Sequence, residues 1–197
     1  MTVTERQIRV LLWIALALVG LGVWAFLLRG ADQPADPRLA PAVAVLPDGV
    51  APPGDPSRVP LDGFDEIAVT VAPEGGGSLL SWCLLAALQA SQREQGLMGV
   101  TDLQGYSGMA FVYDTDVQSP FWMRNTPTPL SIAWIARDGS VVSISDMAPC
   151  GDRSDCPIYG STGRYRTAIE VFQGQLATLG ITPGAKVTVG GECAARV

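Results

Sequence analysis

Six polar residues lie in or beside the most distinctive segments of this 197-residue chain: Arg93, Arg124, Asn125, Thr126, Asp146 and Glu170. Trp122 stands close to three of them in sequence. An arginine can grip a carboxylate or phosphate through two parallel N–H bonds, so these groups could converge on a ligand pocket roofed by Trp122. Their plainer use is an internal arginine–carboxylate pair, with Asn125 and Thr126 capping a turn. Asp146 and Glu170 could also share general acid–base work beside Arg93, as in a hydrolase or lyase, although paired carboxylates are too common to single out that chemistry. The chain contains no histidine, which removes Ser-His-Asp and Cys-His nucleophile systems, histidine-ligated zinc and a histidine general base. No residue is therefore assigned as catalytic. Gly75-Gly76-Gly77-Ser78 lacks the Gly-Lys-Ser/Thr of a phosphate-binding loop and reads as a surface turn.

Sulfur offers a second chemistry. Met98, Met109, Met123 and Met147 could present soft thioethers to Cu(I), but methionine is a common core filler, and Met109 and Met123 sit among aromatic and aliphatic neighbours. Packing is the expectation, with no cofactor or metal. Cys83, Cys150, Cys156 and Cys193 allow three pairings, or a four-thiolate site that the lack of a CxxC knuckle disfavours. A Cys150–Cys156 bridge would staple the polar GDRSD loop, leaving Cys83 to reach Cys193. That pairing is predicted.

These side chains must be positioned by a mainly β domain. EIAVTV at 66–71 reads as a strand, whereas LLSWCLLAAL at 79–88 is too uniformly apolar to assign by period. Ser91-Gln92-Arg93-Glu94 has the capping-box pattern of a short helix ending near 96–98. Strands are expected at 108–113, around 120–124 and at 165–172, and Asp138-Gly139 between two strand-like runs marks a hairpin. A second short helix is expected over 175–179, before a last strand, AKVTV. The sum is one compact β-barrel or sandwich domain with two short helices.

Read in order, REQGLM at 93–98, GMAFVY at 108–113, and FWMRNTP at 121–127 running into PLSI resemble one family. MAPC at 147–150, CPIY at 156–159, AIEV at 168–171 and LGITPGAKV at 179–187 continue the match. The chain resembles the domain of unknown function 192 family, also counted among uncharacterised protein families as number 127, over about residues 78–190. The resemblance implies a compact, mostly β domain, commonly exported, with no established activity. The family usually carries an acidic residue where this chain has Ser131.

Residues 10–28, VLLWIALALVGLGVWAFLL, carry no charge, and at 1.5 Å per residue they span roughly 28 Å, about the thickness of a bilayer core. Arg6 and Arg9 before the run place the N-terminal tail, residues 1–9, inside and the remainder outside. A cleaved signal peptide would have a shorter apolar run with a small-residue site close behind. Eight of the fifteen prolines fall in the linker 29–60, which reads as an extended spacer, so the folded domain is expected over 61–197. Net charge is −6, with fourteen acids against eight bases in 61–197, and there is no basic run for nucleic acid. The expectation is a single-pass membrane protein whose extracytoplasmic domain is a non-enzymatic module for a small polar ligand or a protein partner. The alternatives are the hydrolase or lyase above and an accessory subunit of a membrane complex.

Overall fold

The computed structural model describes residues 55–196. The expected anchor at 10–28 and most of the linker lie outside the described residues, among which no helix is long and apolar enough to cross a membrane. Nine strands and one helix follow in order: β1 (Asp65–Ala72), β2 (Leu80–Ala87), α1 (Ala90–Gln95), β3 (Met109–Val117), β4 (Phe121–Trp122), β5 (Leu130–Ile135), β6 (Val141–Met147), β7 (Ile158–Tyr159), β8 (Tyr165–Phe172) and β9 (Lys186–Val189). Seven form one sheet in the order β6-β5-β8-β3-β2-β1-β9, and β4 and β7 make a separate two-stranded ribbon.

The uniformly apolar run becomes β2 because it lies inside the sheet, where both faces are covered. It pairs parallel with β3, a geometry that needs a long crossover, and α1 lies on that crossover. Side chains alternate across the sheet. Leu85, Met109, Phe111, Ile132 and Trp134 pack on one face, while Leu84, Ala110, Ala133, Ile169 and Val171 pack on the other. Fully burying side chains of this size stabilises the fold by about 1.5–3 kcal/mol each.

Three expectations need correction. The sheet is not closed into a barrel: its edges touch where Ser140 bridges Lys186, the Val187 N–H donates to the Gly139 carbonyl at 2.8 Å and the Lys186 ammonium pairs with Asp138 at 3.0 Å. The stretch 175–179 is a run of turns. It is under two helical turns long, too short to repay nucleation, and positive-φ glycines, Gly174 and Gly180, bracket it. The capping box of α1 starts at Gln89, whose N–H donates to the Gln92 side chain at 2.8 Å. That leaves Arg93 in the last turn. The packed domain also reaches back to Arg58, which is buried and pairs with Glu66 at 2.9 Å.

All four cysteines are paired as predicted, Cys83 with Cys193 and Cys150 with Cys156, with Cα separations of 5.5 and 6.0 Å. Methionines 109, 123 and 147 are buried in the core.

Candidate functional site

A cavity of about 490 Å³ opens between α1, β3 and the β4 segment. Arg93, Trp122, Thr126 and Glu170 line it, so four of the seven candidate residues come together. Glu170 belongs to β8, where its strand neighbours are Met109 of β3 and Ile132 of β5. Flanked by apolar side chains, it is 4% exposed and makes no hydrogen bond to any described residue. Burial alone pushes its carboxyl up to about 8.

Arg93 faces the same space. Its guanidinium lies 4.8 Å from the centre of the Tyr113 ring and donates through Nη1 to the carbonyls of Val112, at 3.0 Å, and Leu88. The backbone carbonyls at the end of β2 and on β3 thus hold the side chain in place. Tyr113 is itself raised, first by burial. Phe111, Phe121 and Trp122 supply aromatic wall, with Phe111 and Phe121 meeting edge to face at 5.0 Å. Trp122 is 42% exposed, which places it at the rim. The wall also includes Met98, Ser119 and the exposed Glu94 of α1.

The remaining candidates do other work. Arg124 pairs with Asp152 at 2.6 Å. Asn125 sits in a left-handed turn at φ 55°, its N–H donating to Gly151 and its carbonyl accepting from Gly99, the turn role set beside the pocket role in the sequence. Asp146 does not meet Glu170. Register pairs it with Ser131 and pairs Ser131 with Val171, so it lies on the opposite face of the sheet. There the Ser131 hydroxyl donates to Asp146 at 2.5 Å, which lowers that carboxyl, and accepts the Gly174 N–H at 2.9 Å. A carboxylate therefore still reaches position 131, supplied by the neighbouring strand. The acid–base dyad does not form.

Phe111, Tyr113, Phe121, Ser119 and Glu94 were not among the site candidates read from the sequence. The alternation of Met109, Phe111 and Tyr113 was the available signal, because it puts all three on one face of β3.

The ribbon β4–β7 carries one side of the cavity. Its two-residue strands gain support from the Thr126–Cys150 bridge and the Cys150–Cys156 disulfide. Fold and site together define a mainly β domain with an aromatic cavity and a buried carboxyl facing into it. Residues 74–189 match DUF192, described as an uncharacterized ACR, and the chain belongs to that family. Among solved structures it is similar to a protein of unknown function from Novosphingobium aromaticivorans DSM 12444, at 30% identity and TM-score 0.57. That match covers 71% of this chain and 93% of the other. It is also similar to a "putative transcription regulator" from Sinorhizobium meliloti 1021, at 25% identity and TM-score 0.56, over 66% of this chain and 98% of the other. No curated protein matches.

Proposed function

We propose that this chain is a membrane-tethered, non-enzymatic binding module that holds a small organic molecule in the cavity between α1, β3 and β4. One observation carries the reading: Glu170, buried and without a hydrogen-bond partner among the described residues, faces a 490 Å³ space walled by aromatic rings. A buried polar group costs stability unless something pairs with it, so a ligand is the natural complement. The separation of Asp146 from Glu170 favours binding over the acid–base alternative. The apolar run 10–28 supports the tether, and the proline-rich spacer would carry the domain clear of the bilayer.

A protein partner has its own support. Trp122 and Ile158 are directly opposed across the β4–β7 ribbon, and both are exposed. Crosslinking in membranes tests that reading, with Ile158→Asp expected to abolish any adduct made through this pair.

Native mass spectrometry of the full chain, purified in detergent, tests the small-molecule reading. A bound organic molecule is expected in the unaltered chain and not in Ser119→Trp, which sets an indole into the cavity from an exposed position. A bound molecule retained by Ser119→Trp, or an empty unaltered chain, counts against it.

A further inference from the structure

We infer that the cavity selects organic cations: a protonated amine on an aromatic or otherwise flat apolar body, with the ammonium against Glu170 and the body between Phe111, Phe121 and Trp122. The inference rests on the binding reading above and adds the ligand's chemical class.

Three features point to positive charge. The groups lining the cavity include two carboxyls, Glu170 and Glu94, against one guanidinium. That guanidinium lies over Tyr113 and spends Nη1 on two backbone carbonyls, so part of its donor set is already engaged. Glu170 has no partner among the described residues and is flanked on its sheet by Met109 and Ile132, so a cation entering the cavity meets its only unpaired buried charge-bearing group. Aromatic faces add to this, because their quadrupoles attract a desolvated cation.

Proton movement follows from the same geometry. An ammonium requires Glu170 as carboxylate. Below pH 8, binding releases the carboxyl proton to solvent, while an amine that arrives neutral takes that proton in place and yields the same ion pair. The other charged or titratable groups on the cavity wall are Arg93 and Glu94 of α1 and Tyr113 of β3; just beyond β4, the Arg124 guanidinium lies 5.7 Å from the centre of the Trp122 ring and pairs with Asp152. Affinity for an amine is therefore expected to fall about tenfold per unit as pH drops below about 8.

The test uses the full chain in detergent and three probes of one shape: phenethylamine, 2-phenylethanol and phenylacetate. Binding is read by calorimetry and by tryptophan fluorescence, with Trp122 at the cavity rim. At pH 8 phenethylamine is expected to bind at least about tenfold more tightly than the alcohol, the worth of one charge-assisted hydrogen bond, with phenylacetate weakest. Glu170→Gln, checked as folded by circular dichroism, is expected to erase the preference for the amine and flatten its pH dependence. Ser119→Trp should weaken all three probes. Equal binding of alcohol and amine, strongest binding of phenylacetate, or an amine preference that survives Glu170→Gln would each overturn the inference. So would failure of phenethylamine to bind. In every such case the native mass spectrum still decides separately whether the cavity holds a small molecule.

Discussion

A carboxyl buried without a partner and a half-buried carboxyl that has partners act on stability in opposite directions, and this domain has both. Glu170 is raised to about 8 by burial, well above its unfolded value, so the folded state holds a proton that the unfolded state gives up. Its cost to the fold therefore grows as pH rises from about 4.5 to 8 and is constant above that. Glu170→Gln is expected to raise the melting temperature, with a gain near zero at pH 4.5 and largest at pH 8; thermal denaturation followed by circular dichroism across that range checks it. Glu66 shows the converse. Arg58 donates to it from Nε and Nη2 at 3.0 and 2.9 Å, Tyr106 adds a hydroxyl at 2.8 Å, and the carboxyl is lowered, first by Arg58. Its stabilising share is complete above the unfolded value and fades as pH falls through the lowered one. Arg58→Ala is expected to cost about 2–3 kcal/mol in urea unfolding at pH 7, less at pH 3, because it removes a buried side chain and two charge-assisted hydrogen bonds, leaving the half-buried Glu66 with Tyr106 and Arg196 alone. At this scale much of the site was legible: Arg93, Trp122, Thr126 and Glu170 stood out in the sequence and share the cavity. Asp146 was misjudged for a physical reason. In a strand the face is decided by odd or even position, and the register that fixes it across β5, β6 and β8 is not written in any one of them.

Elements in this fold are tied at a few places where geometry leaves no slack. Gly139 closes the β5–β6 hairpin at φ 82°, and a Cβ there would stand 2.7 Å from the Val187 carbonyl of β9. The same glycine accepts the Val187 N–H, so turn and sheet-edge contact depend on one residue. Gly139→Ala is expected to destabilise by about 1–3 kcal/mol in chemical denaturation, from the left-handed backbone together with the clash. Gly108 makes a different close approach: a Cβ would lie 2.4 Å from the Glu170 carbonyl, so only glycine lets the entry to β3 reach β8 behind the cavity. The Asp-Gly hairpin and the 165–172 strand were readable because turn chemistry and apolar patterning are local signals. The parallel β2–β3 pairing, the ribbon β4–β7 and the open sheet were not, because pairing between distant segments and the closeness of sheet edges are set by tertiary packing. The 175–179 segment shows the same limit. Leu176, Leu179 and Ile181 bury against the second face, and turns place them there as well as a helix would.

Across the whole molecule, the two disulfides bear on compartment as much as on stability. Cys83 and Cys193 lie 110 residues apart, and in the chain-entropy account a loop of that size stabilises by about 4–5 kcal/mol, whereas the six-residue separation of Cys150 and Cys156 removes little unfolded-state freedom and acts locally on the segment bearing β7. Such bridges persist on the oxidising side of a membrane. The proposed tether points the same way, since Arg6 and Arg9 precede the apolar run and the acidic 61–197 follows the spacer. An acidic domain is also repelled by anionic lipid headgroups, which suits a long proline-rich stretch between anchor and fold. In intact cells stripped of any outer layer, added protease is expected to cut within residues 30–54 and release a fragment that keeps both disulfides, while sodium carbonate leaves the uncut chain in the membrane. Non-reducing peptide mapping of the released fragment should show Cys83 joined to Cys193 and Cys150 to Cys156. A chain that carbonate frees at full length, or that protease reaches only after the cells are broken, would refute the tether. Free thiols in the released fragment would refute the pairing.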